Sequence, residues 1–116
     1  MKRRVVVTGI GLITPLGIGT EQTWQALINA QSGIGPITRF DASDQASQIA
    51  AEVKDFNPEN WFEKKQVKNL DAFVQYAVAA ADIAWKSSGL SITEENVNRV
   101  GVITGCGMGG LPTIEE

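Results

Sequence analysis

The stretch RVGVITGCGMGG, Arg99 to Gly110, decides the fold. Its first half is a short apolar run without polar alternation, which predicts a strand covered on both faces. Its second half crowds Gly105, Gly107, Gly109 and Gly110 around the sole cysteine, Cys106, and Pro112 to Glu116 reads as a helix just beginning. A strand that turns through glycines into a helix is an α/β element. The role of the turn is open at this point. Cys106 could be a nucleophile, part of a phosphate cradle, or a small buried side chain.

Working back from the turn, SITEEN predicts one helical turn with Thr93 as its cap. Before it, NLDAFVQYAVAAADIAWKSSGL, Asn69 to Leu90, is the clearest helix. Leu70, Phe73, Ala77, Ala80, Ala81 and Ala84 form one stripe, widened by Val74, Val78 and Trp85. So much alanine predicts a largely buried helix in close contact with its neighbours, and Gly89 suits its C-terminal stop. NPEN predicts a short helix from Pro58, and Ile49 to Val53 a weak strand. GIGPITRFD reads as a loop. Thr20 is the expected N-cap of a helix from Glu21 to about Ala30, with Trp24, Leu27 and Ile28 at helical spacing. At the N-terminus RRVVVTG predicts a second buried strand. Strands separated by helices favour a layered α/β fold with a mixed or parallel sheet.

Composition narrows the chemistry. A chain of 116 residues is one domain or a piece of one, and its 43% hydrophobic content argues against disorder. A net charge of −3 implies no broad basic surface, so nucleic acid is not an expected partner. There is no histidine, which excludes a Cys-His or Ser-His dyad and any His-ligated metal within the chain. Glycines and Pro15 break the N-terminal apolar run, which argues against a signal peptide. No run reaches a membrane span. The expected location is the cytoplasm.

Gly105, Gly107 and Gly110 match G-x-G-x-x-G formally, so a nucleotide-binding α/β domain is one alternative. The favoured reading of Cys106 is a small buried residue, since a catalytic thiol needs a base, a cation or a helix N-terminus. Lys64, Lys65 and Lys68 precede and open the long helix, with Lys64 and Lys68 one turn apart. Positive charge there opposes the helix dipole. The cluster is either a docking surface for an acidic partner or a solvated face, and composition alone favours the latter.

Taken together, KRRVVVTGIGLITPLG, TWQALINAQSGIGPITRFD, DAFVQYAVAAADIAWKSSGL and RVGVITGCGMGG resemble, in order and spacing, the N-terminal part of β-ketoacyl-acyl-carrier-protein synthases. The DAFVQYA stretch is most similar to the type II form, and the resemblance covers the whole chain. It implies a thiolase-like layered α/β fold with a mixed sheet between helices, of which residues 1–116 would be part of the N-terminal half. It also implies decarboxylative Claisen condensation, a homodimer, acyl carrier protein as partner, and no cofactor. The family's catalytic cysteine and two histidines would lie downstream, so this segment alone is expected to be inactive. Within it, Met108 matches a position lining the acyl pocket, where the neighbouring glycines, Gly107 among them, let the backbone pass close. Lys65 and Lys68, with Lys64 beside them, match basic positions that contact the carrier, which turns the balance towards docking. Cys106 does not match the nucleophile motif. A non-catalytic carrier-binding relative is the other alternative.

Overall fold

The computed structural model describes residues 2–115. They divide into two units, residues 12–57 and residues 2–11 with 58–115.

The unit of residues 12–57 begins with a tight hairpin. β1 (Ile13–Thr14) and β2 (Gly17–Ile18) pair antiparallel, with Ile13 opposite Ile18. Thr14 builds the turn: its hydroxyl donates to the Gly17 carbonyl at 3.2 Å and accepts the Leu16 N–H at 3.1 Å. Short hydroxyl side chains stabilise turns in this way. α1 (Thr20–Ile28) comes next, and its N-cap is Gly19 rather than the expected Thr20. Gly19 has φ +94°, a conformation that a threonine adopts only at a cost. Trp24, Leu27 and Ile28 stay more than half exposed, and burial falls on Thr23 and Ala26.

β3 (Ile34–Pro36) lies in the segment expected to be a loop and pairs antiparallel with β4 (Ile49–Ala51). Its glycine and proline are poor strand formers, so local propensity hides it; pairing with the Ile49 run creates it. Beyond Pro36 the Glu52 carboxylate continues the tie. It accepts the Thr38 hydroxyl at 2.7 Å and the Thr38 N–H at 3.1 Å, which hold it below the usual carboxylate range.

In the other unit, the short helix expected from Pro58 is a single 3-10 turn, Pro58–Asn60. α2 (Lys64–Val67) is a separate short helix closed by a capping box: the Glu63 side chain accepts the Gln66 N–H, and the Gln66 side chain accepts the Glu63 N–H at 3.0 Å. The lysines therefore do not open the long helix. Lys64 and Lys65 stand on α2 and Lys68 is its C-terminal cap. In a helix this short both ends fall within one turn, so the dipole argument carries no weight.

α3 (Ala72–Ser88) runs from Asp71 to a left-handed Gly89, as its sequence predicts. Its alanines admit close approach. A Cβ on Gly9 would meet the Ala84 carbonyl, and one on Gly11 would meet the Ala80 carbonyl and stand 2.6 Å from the Ala84 nitrogen. Thr8, Gly9 and residues 100–103 share one cleft along Ala81, Ala84 and Trp85. Both extended segments thus lie against α3.

Neither RRVVVTG nor RVGVITG forms a ladder among the described residues. A strand requires a partner for its N–H and C=O groups. Val5, Val102 and Ile103 are accordingly 93%, 83% and 98% exposed. The expected mixed or parallel sheet does not form among the described residues; their only ladders are the two antiparallel pairs. Residues 94–96 turn before a 3-10 turn at Val97–Arg99, with the Asn96 side chain accepting the Thr93 N–H at 2.8 Å. α4 (Leu111–Glu115) starts as expected, and Glu116 lies outside the described residues.

The buried hydrophobic residues among those described are Ala26, Ala42 and Ala79. α3 is therefore less buried than its alanines predict. A folded monomer of 12.4 kDa exposes about 6,100 Å², whereas this chain exposes 9644 Å². Val5, Val102 and Ile103 are among the large apolar residues left exposed.

Candidate functional site

Three features of the second unit carry the functional expectations: the glycine turn, the start of α3, and the lysine-bearing α2. The first two meet. Gly109, with φ +78°, lies over the Phe73 ring, whose edge carbons stand 3.8 Å from where a Cβ on Gly109 would be. The Asp71 carboxylate fills the space that a Cβ on Gly110 would need. It also accepts the Thr113 hydroxyl at 2.7 Å, tying the start of α3 to α4.

A cleft of about 240 Å³ lies between α3 and the turn, lined by Phe73, Val74, Ala77, Val78, Thr104, Gly105 and Cys106. Its wall is mainly apolar. Cys106 is a free, exposed thiol, so the expected burial is not met. Its sulfur accepts the Gly109 N–H at 3.1 Å, a contact that holds the turn. Activation of a thiol needs more than this, and the chain has no histidine. Gly107 and Met108 stand at the tip of the turn, Met108 72% exposed. The cleft is thus lined by Cys106, and Met108 projects from the same turn without lining it.

At Gly105–Gly110 the glycines differ: Gly105 and Gly107 face open space, and Gly110 meets the Asp71 carboxylate. A pyrophosphate needs open space and exposed N–H groups at the glycines. Beside Gly110 that space holds a carboxylate, which would repel an anion. No group of acidic, cysteine or histidine side chains suited to a metal occurs among the described residues.

Lys64, Lys65 and Lys68 are all exposed. Lys64 reaches Glu59 at 4.0 Å, a solvent-screened contact of little energetic consequence. Among the described residues no ion pair engages Lys65 or Lys68. Glu63, the acid within the cluster, is committed to the capping box. A hydrogen-bond bridge from Trp61 anchors the segment before α2. Its indole N–H donates to Asp82 on α3 at 2.9 Å, and Lys86 donates to the same oxygen at 2.7 Å. Lys86 first, then the Trp61 indole, hold Asp82 below the usual carboxylate range. Sequence reading missed both Asp71 and Asp82 as organising residues. An aspartate at a helix start reads as a cap, and one in mid-helix reads as solvated surface.

A family model described as Beta-ketoacyl synthase, N-terminal domain, matches residues 2–116. The chain is 52% identical over 115 residues to a 3-oxoacyl-[acyl-carrier-protein] synthase 2 of Coxiella burnetii, covering 99% of this chain and 28% of that protein. It is 47% identical over 115 residues to the synthase 2 of Synechocystis, with the same coverage of 99% and 28%. A solved structure of the ishigamide ketosynthase/chain length factor is 41% identical, with a TM-score of 0.70, over 78% of this chain and 23% of that one. The chain thus spans 28% of the length of these two curated relatives.

Proposed function

The chain belongs to the β-ketoacyl synthase family, as part of its N-terminal domain, and on that premise we propose that it serves a 3-oxoacyl-[acyl-carrier-protein] synthase of type II. Its fold is the thiolase-like α/β fold in part. The observation that carries the functional reading is the match to synthases 2 along 99% of the chain. The exposure of the apolar segments RRVVVTG and RVGVITG, which form no ladder among the described residues, is in keeping with it.

The reaction extends an acyl chain. The acyl group passes from its carrier to a cysteine as a thioester. Loss of carbon dioxide from malonyl carrier protein leaves a carbanion, which attacks the acyl carbonyl. A carbon–carbon bond forms, the carbon–sulfur bond to the enzyme breaks, and the 3-oxoacyl chain stays on the carrier. The nucleophile and the histidines of that chemistry are not residues of this chain. Its own contribution is binding. Lys64, Lys65 and Lys68 face an acidic carrier protein. Gly107 and Met108 belong to the acyl pocket, where a flexible, polarisable side chain adapts to different chains. A cytoplasmic homodimer without a cofactor completes the reading. No helix among the described residues is long and apolar enough to cross a membrane.

The test is a composite synthase, with residues 2–116 replacing the matching segment of the Coxiella burnetii relative. Carrier-dependent elongation of an acyl primer by malonyl carrier protein is the expected result. Failure to condense while still binding carrier would leave the carrier contact standing and remove the segment's part in the acyl pocket. Loss of both would overturn the reading.

A further inference from the structure

The residue at the start of α3 is spent in an unexpected way. Aspartate is among the best N-cap residues because its carboxylate accepts backbone N–H groups of the first turn. Asp71 occupies the N-cap position with extended backbone, φ −60° and ψ 151°, yet its side chain makes no capping bond. The carboxylate is turned away from the helix it begins. It accepts the Thr113 hydroxyl at 2.7 Å, across 42 residues of sequence. It also occupies the place beside Gly110 where any other residue would put a Cβ. The turn is held a second time by Phe73, on the first turn of α3, against Gly109. The sulfur of Cys106 closes the turn upon itself through the Gly109 N–H at 3.1 Å. Met108 lies between these fixed points.

We infer that Asp71 is a positioning residue that, through Thr113 and the space at Gly110, sets the turn carrying Met108 and thereby tunes which acyl chains are accepted. The inference rests on the proposed condensing activity and on Met108 lining the acyl pocket. Its physical content is separate from both: a missing cap traded for a long-range tie. Helix stability does not account for the arrangement, since a capping carboxylate would serve the helix better. Electrostatics alone does not account for it either, since the partner is a neutral hydroxyl. A bond that fixes the turn accounts for the close approach at Gly110 and for the choice of threonine at position 113. Asp71 also stands three positions after Lys68. Lys68, Asp71 and Thr113 border one polar cleft of about 420 Å³. The carrier-facing surface and the pocket-facing turn are therefore joined through one short stretch of backbone.

The test uses the composite synthase with hexanoyl and myristoyl thioesters of coenzyme A, which omit the carrier and any effect of the lysines. Asp71→Ala and Thr113→Val are each expected to change the ratio of kcat/KM for the two chains about tenfold, the weight of one hydrogen bond to a charged acceptor. Thr113→Ser keeps the hydroxyl and should keep the ratio. Asp71→Asn keeps an acceptor but not its charge and should fall between the parent and Asp71→Ala. The double variant Asp71→Ala with Thr113→Val should be no worse than either single change, as expected of two ends of one contact. An unchanged chain-length ratio in both single variants, with the parent composite active, overturns the inference and leaves the condensing function standing. Proportional loss on both substrates, or loss that Thr113→Ser does not rescue, assigns Asp71 a stability role and overturns it too. An inactive parent composite overturns the functional reading and this inference with it.

Discussion

The Trp61 indole N–H donates to the Asp82 carboxylate at 2.9 Å, and that one bond joins the segment before α2 to the middle of α3. Asp82 is held as a carboxylate below its ordinary pKa, chiefly by Lys86. A depressed pKa stabilises the folded state above the ordinary aspartate value of about 3.9, and the benefit fades as pH falls through the folded value. In the composite synthase, Trp61→Phe should raise amide hydrogen exchange across residues 58–68 at neutral pH. The difference from the parent should shrink as the medium is taken below the ordinary aspartate range. Equal exchange in both proteins at neutral pH would show that the indole does not anchor α2.

A second expectation concerns the chain by itself. Among the described residues burial is limited to Thr23 and three alanines, and the exposed area of 9644 Å² far exceeds that of a folded monomer of this mass. The ordering cost of the backbone, about 1–2 kcal/mol per residue, has little apolar burial to offset it. The isolated chain should therefore bind the dye ANS and melt without a sharp transition. A cooperative two-state melt, tracked by circular dichroism, would contradict this.

Cys106 is predicted to be chemically dispensable. Its sulfur accepts one backbone N–H, a role that a serine hydroxyl also fills. Cys106→Ser in the composite synthase should keep most condensing activity. Near-complete loss of acyl-enzyme would assign the thiol a chemical role after all.

Met108 should act through size. Met108→Phe adds bulk at the tip of the glycine turn, and overpacking costs about 1–3 kcal/mol where space is tight. Long-chain turnover should fall more than short-chain turnover. Equal loss across chain lengths, or none, would place Met108 outside the pocket.

The sequence made some of this legible and hid the rest for physical reasons. α3 is readable because a long helix carries its own periodicity and its own stop at Gly89. The close approach of the alanine face is readable too, and Gly9 and Gly11 realise it. β3 is hidden because Gly35 and Pro36 read as loop until Ile49–Ala51 pairs with them. RRVVVTG and RVGVITG have the composition of strands but no ladder among the described residues, because pairing is a property of neighbours and composition cannot supply them. The break between α2 and α3 at Asn69 to Asp71 is equally hidden, since the lysines share helical spacing with the residues of α3. At the site, the glycines announce a turn, but the tie between Asp71 and Thr113 spans 42 residues and no local pattern encodes it.

The lysines give the sharpest test of carrier docking. Lys64 and Lys65 lie on α2 and Lys68 caps it, all three in solvent, with Glu63 withdrawn into the capping box. Their spacing is no longer explained or opposed by the dipole of a long helix, so local stability is neutral towards them. An exposed cluster of one sign acts mainly on encounter rate and orientation. Screening over about 8 Å at physiological salt makes such a contribution sensitive to ionic strength. Lys65→Glu with Lys68→Glu in the composite synthase should raise KM for carrier-linked substrates roughly tenfold or more, since two attractions become repulsions. Coenzyme A thioesters should turn over almost unchanged. Added salt should weaken carrier binding in the parent and weaken it less in the variant, because the variant has lost the attraction that salt screens. If carrier-linked and carrier-free substrates suffer alike, the cluster is an ordinary solvated face.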